Sequence, residues 1–294
     1  MKEPRICAIV LTYNGKYLIA KMLKSFRKTI YKNGQVIVVD NGGSDGSEEL
    51  IKKKFSWAKV VRLQLNKGFA GGNNVGIRYA FGHDKPEYVV LLNDDMEIID
   101  PKWLNILVET AKKTGAGVTG CKLVLLDGRI QYAGGYFHPV RITMHRGLLE
   151  ADNGQYDEEL EVDYANGACF LINKDVISRI GLLDEGYSPI YFEEADYCAR
   201  ARQAGFKIIY TGKTKLIHYT SLTTKKEGNT QRYYIWEKNR IRFVQRHFSF
   251  LWKIAAHFRI LSGVLWVGKD TPGSGVGIAK RLQLLKKAFQ DAKK

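Results

Sequence analysis

Ile6-Cys7-Ala8-Ile9-Val10-Leu11-Thr12 is a continuous apolar run, cut off by Tyr13-Asn14-Gly15. A run without alternation predicts a strand buried on both faces, as in parallel sheets. Leu18, Ile19, Met22, Leu23 and Phe26 follow at helical spacing. The strand–helix couple then repeats. Residues 35–39 (QVIVV) predict a second strand that stops at Asp40-Asn41-Gly42-Gly43. A helix starts near Gly46-Ser47, with Glu48 and Glu49 in the first turn, where the helix dipole favours acids. Residues 59–65 alternate and predict a third strand, residues 71–81 a helix, residues 88–92 (YVVLL) a fourth strand, and Asp100-Pro101 the start of another helix. Strands alternating with helices predict an α/β fold with a mixed, mainly parallel sheet flanked by helices. Residues 117–150 read as an irregular excursion lining one side of a cleft, and helical spacing returns at 174–180 and 194–204.

Hydrophobic residues make up 45% of the 294-residue chain, enough for a real core. The four cysteines, Cys7, Cys121, Cys169 and Cys198, form neither a zinc spacing nor a disulfide framework. They read as small buried residues and fit a reducing compartment. There is no signal-peptide core at the start and no run of about 18 apolar residues that would span a membrane. The net charge of +16 is unevenly spread. Residues 219–294 hold sixteen Lys and Arg against four Asp and Glu, a net of +12. Residues 1–218 are left with +4. A boundary near residue 219 therefore separates a globular domain, 1–218, from a basic helical extension, 219–294.

Ligands of open α/β sheets bind beyond the carboxyl ends of the strands. Asp40 follows the second predicted strand, and Asn93-Asp94-Asp95 follows the fourth. Two polar, acidic clusters at one edge suggest a site, since Asp94 or Asp95 could hold Mg²⁺ or Mn²⁺ against a diphosphate. The ordinary reading of each cluster alone is a turn cap. Residues 41–46 and 68–74 are glycine-rich strand-to-helix connections that let backbone approach a ligand. Neither is a dinucleotide-binding or P-loop fingerprint. A third cluster holds Glu193, Glu194 and Asp196 at a helix start. Crowded carboxylates can raise one another's pKa, which suits acid–base catalysis. Asp196 with Arg200 reads first as an i,i+4 ion pair. His218 closes a strand-like run and, as a lone histidine, reads first as structural.

These segments together resemble glycosyltransferase family 2, the inverting nucleotide-sugar transferases of GT-A fold, and within it the rhamnosyltransferase-like branch. The resemblance runs in order over most of residues 5–223. It is carried by Ile9-Val10-Leu11-Thr12-Tyr13-Asn14, by the block from Val38 to Ser47, by Asn66 to Gly76, by Leu91 to Asp95, by Asn166-Gly167-Ala168 and by Asp184 to Arg200. It implies a nucleotide pocket formed by Asp40, by the Thr12-Tyr13-Asn14 edge, by Asn41, Gly71 and Asn73, and by Asn93 and Asp94. Asn93-Asp94-Asp95 fills the family's D-x-D slot, with Asp95 the expected ligand of Mg²⁺ or Mn²⁺ and Asp94 and His218 as further contacts. Glu193-Glu194 fills the slot of the general base, with Glu194 preferred by position. Gly167 and Asp196 fall on the acceptor side. Asn93 and Glu194 depart from the family's commoner Asp at both places.

The implied activity is metal-dependent transfer of a sugar, rhamnose being one expected case, from a nucleoside-diphosphate sugar to a glycan or lipid-linked acceptor. A catalytically silent nucleotide-sugar-binding or membrane scaffold protein is the competing expectation, and a nucleotidyltransferase is a third. Residues 248–268 carry an apolar stripe of Leu251, Ile254, Phe258, Leu261 and Leu265, bordered by Trp252 and Trp266 and flanked by basic residues. That pattern suits either a helix packed on the core or one lying in the plane of an anionic membrane; on the second reading the expected location is peripheral, on the cytoplasmic face. No nucleic-acid module accompanies the basic tail, so no nucleic acid is expected as partner.

Overall fold

The computed structural model describes residues 3–219, 229–265 and 275–293. The first half alternates β1 (Ile6–Thr12), α1 (Lys16–Phe26), β2 (Gly34–Asp40), α2 (Ser47–Lys54), β3 (Lys59–Arg62), α3 (Gly68–His83) and β4 (Tyr88–Asn93). Then come β5 (Met96–Ile98), α4 (Trp103–Thr114), β6 (Ala116–Val124), β7 (Ile130–Tyr132), β8 (Gly135–His138), β9 (Ile142–His145), β10 (Glu159–Glu161) and β11 (Cys169–Asn173). Last are α5 (Lys174–Ile180), α6 (Glu193–Gln203), β12 (Lys207–His218), α7 (Asn229–His247), α8 (Phe250–Ser262) and α9 (Ile278–Asp291).

The main sheet runs β10-β12-β6-β11-β4-β1-β2-β3, with β5 paired to β12 and β7 to β6. β1 pairs parallel with β2 and β4, β2 with β3, and β6 with β12. β11 is antiparallel to both β4 and β6, so β6 points the same way as β4. Six of the eight strands along the path therefore share one direction. Their carboxyl ends deliver Thr12, Asp40, Asn93 and His218 to a single edge of the sheet. All four cysteines are buried and unpaired, as small core residues.

The helix expected at 71–81 starts earlier, at Gly68, so much of the glycine-rich segment is helix rather than loop. Glycines within the helix answer to the short helix-to-strand distance. A Cβ on Gly72 would lie 2.4 Å from Leu11 Cδ1, and one on Gly76 2.4 Å from Ile9 Cγ2. The third strand stops at Arg62 instead of residue 65, and Leu65 stands exposed beside Gly42.

The excursion expected at 117–150 is partly regular. Residues 116–124 form β6, buried along its whole length. Gly117, Gly120 and Lys122 had broken its apolar pattern. Gly120 faces Ala165, where a Cβ would meet the Ala165 Cβ at 2.9 Å. Lys122 is buried with its ammonium on Asp152 at 2.8 Å and on Asp157, so its charge is paired inside the fold.

The basic helices after residue 219 pack against the sheet-bearing part of the chain. Tyr233, Ile235, Ile241, Phe243 and Val244 of α7 are buried. Asn239, also buried, donates its amide to the carbonyls of Tyr187, Ile190 (2.8 Å) and Tyr191 (3.1 Å). On α8, Ala256 and Ile260 are buried while Phe250, Leu251, Ile254, Phe258 and Leu261 are exposed. Trp266 lies outside the described residues. Among the described residues no helix is long and apolar enough to cross a membrane.

Candidate active site

The β1 and β2 ends form one wall. Thr12 pairs with Asp40 in the ladder, and Asp40 with Arg62. Asp40 is buried and accepts from the Gly43 amide at 2.8 Å and from Arg62 Nη1 at 3.0 Å. A buried carboxylate needs such partners, and they aim it across the edge. Asn14 accepts from the Ser44 amide at 2.8 Å, tying the first loop to the second. Tyr13 is exposed beside them. Asn41 is spent internally: it donates to Asn66 Oδ1 and the Gly68 carbonyl and accepts from the Lys67 amide. Gly71 is buried in α3. Asn73 donates to the Phe69 carbonyl, but its own buried Oδ1 has no partner.

The loop after β4 divides its two acids. Asp94 accepts from Thr12 Oγ1 at 2.6 Å. Burial pushes its carboxyl up to about 7, against the pull of the Thr12 hydrogen bond. Gly15 makes room for this pair, since a Cβ there would meet Asp94 Oδ2 at 2.2 Å. Asp95 instead faces His218, with Oδ1 3.1 Å from Nε2. Strand pairing causes that meeting: β5 is antiparallel to β12, and Met96 sits opposite His218. The Asp95 carbonyl also accepts from the Tyr219 amide at 2.9 Å.

Among the described residues no three His, Cys, Asp or Glu side chains gather as a ready-made metal cage. The Asp95–His218 pair nevertheless fits a divalent cation. Two ligands about 2.1 Å from an octahedral ion and at right angles lie about 3.0 Å apart. Asp95 Oδ1 is buried and accepts no hydrogen bond, as a ligand oxygen would be left. Mg²⁺-type sites commonly use one or two carboxylates and take their remaining oxygens from substrate phosphates.

Glu193 and Glu194 open α6. Tyr191 and Phe192 just before them have φ of 86° and 74°, a left-handed conformation costing bulky residues about 1–2 kcal/mol each. The strain is held from α7, where Trp236 packs on both rings at 5.2 Å and Asn239 holds the carbonyls. Glu193 is buried, with Oε1 unpartnered. Burial, and next the Glu194 charge, push its carboxyl well above the ordinary range. Glu194 keeps part of its surface exposed, and burial raises its carboxyl too. Gly167 lies against it: a Cβ there would sit 3.5 Å from Glu194 Cβ. The neighbouring Ala168 carbonyl accepts from the Asn93 amide at 3.3 Å. Residues 166–168 thus bridge Glu194 and the end of β4.

Asp196 is fully buried and turned into the helix packing. It accepts from Arg200 (2.8 Å), His247 (2.8 Å) and Tyr187 (3.1 Å). Burial alone would raise its carboxyl, but His247 and Arg200 outweigh that and hold it below the usual range. The i,i+4 pair is therefore real, and it is His247 on the same carboxylate that clamps α6 to α7. Arg62, Gln131 and Asn239 were not singled out from the sequence. Arg62 had a weak signal, as a charged residue on an alternating strand. Gln131 and Asn239 had none, because their partners lie 87 and about 50 residues away.

A sheet with this strand order, presenting these groups at its carboxyl edge, defines a GT-A fold. The profile of glycosyl transferase family 2 matches residues 7–181, more than half of the chain, and the chain belongs to that family. Over 239 residues it is 29% identical to the uncharacterized protein y4gI of Sinorhizobium fredii, covering 78% of this chain. It is 24% identical to the O-antigen biosynthesis protein RfbC of Myxococcus xanthus, covering 76%. The chain spans only 26% and 18% of those two proteins. With an N-acetylglucosaminyl-diphospho-decaprenol L-rhamnosyltransferase of Mycobacterium tuberculosis it shares 22% identity over 74% of this chain and 77% of that one. Among solved structures, mannosyltransferase PcManGT from Pyrobaculum calidifontis, in complex with GDP-Man and Mn²⁺, superposes with TM-score 0.58 at 16% identity, covering 100% of this chain and 74% of that one. S. aureus TarS in complex with UDP-GlcNAc superposes with TM-score 0.63 at 16% identity, covering 98% and 81%.

Proposed function

We propose that the protein is an inverting, metal-dependent glycosyltransferase. It moves a sugar from a nucleoside-diphosphate sugar to a hydroxyl of a glycan or lipid-linked acceptor, in polysaccharide or cell-surface glycan synthesis. The observation that carries this reading is a division of labour across one short bridge. Asp95 and His218 converge at the sheet edge. Glu194 stands beyond residues 166–168, partly exposed and with a raised carboxyl. An inverting displacement needs this separation, with charge stabilisation on the leaving diphosphate and a base on the acceptor.

Asp40, braced by Arg62, would orient the nucleotide base, with Tyr13 beside it. Asp95 and His218 would hold Mg²⁺ or Mn²⁺, which neutralises charge developing on the diphosphate. Asp94, engaged by Thr12, would shape the loop and remains a candidate further contact. Glu194 would take the acceptor proton. A carboxyl raised above the ordinary range is a stronger base than an ordinary one. Buried Glu193 beside it disfavours a second charge. The rhamnosyltransferase among the relatives makes a rhamnosyl donor the first to try.

The same reading places the enzyme peripherally on the cytoplasmic face of an anionic membrane, where a lipid-linked acceptor would lie. Phe250, Leu251, Ile254, Phe258, Leu261 and Leu265 recur at helical spacing, and each is more than half exposed. The extension around them carries +12. A second copy of the chain would bring two such charges together, whereas an anionic bilayer complements them.

The test is release of nucleoside diphosphate from a panel of sugar nucleotides with Mn²⁺ and candidate acceptors. Turnover abolished by Asp95→Ala is expected. Donor binding without turnover across the panel would instead favour a silent binding protein.

A further inference from the structure

We infer that Gln131 is a positioning residue for the diphosphate side of the site. Its amide oxygen fixes His218 in the tautomer that turns an unprotonated Nε2 towards Asp95. The inference rests on the cation-binding reading of Asp95 and His218.

Gln131 is the middle residue of β7, between Ile130 and Tyr132, both fully buried. Alternation along a strand sends the Gln131 side chain to the opposite face. β7 is antiparallel to β6, and β6 is parallel to β12. Gln131 therefore reaches past the end of β6 to the last residue of β12. There Gln131 Oε1 lies 2.7 Å from His218 Nδ1. An amide oxygen only accepts, so Nδ1 carries the proton and donates. In a neutral imidazole, Nε2 is then the lone-pair nitrogen.

The other freedoms of this pair are already used. The β5–β12 ladder and the Tyr219 amide hold both backbones. In the neutral ring, what remains open is which nitrogen bears the proton. With it on Nε2, a proton would stand in the gap between His218 and Asp95 and occupy the place of a cation. With it on Nδ1, a nitrogen lone pair and a carboxylate oxygen face each other at 3.1 Å, and the buried oxygen has no donor. With the ring neutral, such a pair repels unless a cation stands between the two atoms. Partners of this kind, bonded to the far nitrogen of a ligand histidine, typically matter 10–100-fold for metal affinity.

The test reads the ring directly. Nitrogen-15 NMR of the histidine rings, assigned with His218→Ala, reports the tautomer without any metal. The full chain is compared with Gln131→Met, which keeps length but loses the acceptor, and with Gln131→Glu, which keeps an acceptor oxygen. Mn²⁺ titration followed by EPR, with inorganic pyrophosphate as the diphosphate probe, runs alongside. The expected result is an Nδ1–H ring in the wild type and in Gln131→Glu. Gln131→Met should shift the ring towards Nε2–H and weaken Mn²⁺ binding 10–100-fold. An Nε2–H ring in the wild type overturns the inference. So does a Gln131→Met variant with tautomer and Mn²⁺ affinity unchanged. An Nδ1–H ring in a wild type that binds no Mn²⁺ supports the ring assignment and refutes the cation reading instead.

Discussion

Asn239→Leu removes one buried amide and should both destabilise the protein and disarm the helix that begins at Glu193. Asn239 Nδ2 faces three carbonyls, those of Tyr187, Ile190 and Tyr191. Two protons satisfy at most two of them fully, so leucine leaves about two carbonyls without a donor. At about 1–3 kcal/mol for each dry carbonyl, less a similar gain from removing the Asn239 Oδ1, itself buried without a partner, the loss is about 1–3 kcal/mol. The left-handed backbone at Tyr191 and Phe192 would then relax and recover part of its strain. That relaxation moves the start of α6. Urea unfolding at constant slope measures the stability, and calorimetry of donor binding checks the proposed nucleotide wall, which Asn239 does not touch. The expected outcome is a lower midpoint, donor affinity within a few-fold of wild type, and a large loss of turnover. A variant within about 0.5 kcal/mol of wild type and fully active would refute the reasoning.

Glu194→Gln should lower turnover by about a hundredfold or more with donor affinity nearly intact, as for a lost general base; if Glu193→Gln does this and Glu194→Gln does not, the roles are reversed. Gly72→Ala gains about 1 kcal/mol of helix propensity. Its Cβ would strike Leu11 at 2.4 Å, an overpacking that costs about 1–3 kcal/mol, so thermal unfolding should show a net loss; a more stable variant would show that α3 can retreat from β1. Ile254→Glu with Phe258→Glu changes two exposed residues, so stability should hold within about 1 kcal/mol. Binding to anionic vesicles should fall at least tenfold, since each apolar side chain contributes about 1.5–3 kcal/mol when buried; unchanged binding would leave the α8 face without its assigned partner.

Much of the parallel half of the sheet was legible locally. The apolar runs at 6–12, 35–39 and 88–92 cannot remain in water, and the polar residues that end them mark the ligand edge. The start of β6 was hidden because Gly117, Gly120 and Lys122 interrupt its pattern, and each is explained only by a distant neighbour: Phe206, Ala165, and Asp152 with Asp157. The start of α3 is hidden in the same way, since Gly68 answers to Ser188 and Pro189, about 120 residues away, rather than to a local turn. Asp40 and the 93–95 cluster stood out as strand-end acids, but not the separation of Asp94 towards Thr12 from Asp95 towards His218.

The sequence by itself determined the class of the fold, the edge where polar groups gather, and the unequal spread of charge that sets residues 219–294 apart. These depend on spacing and composition, which each stretch of chain carries with it. Only the tertiary structure decided the partners. A lone histidine at the end of a strand is unremarkable until β12 runs antiparallel to β5 and places it beside Asp95. Asp196 reads as one carboxylate among three until α7 brings His247 onto it. Pairing across 50 to 120 residues follows from strand order and direction, which no local pattern encodes.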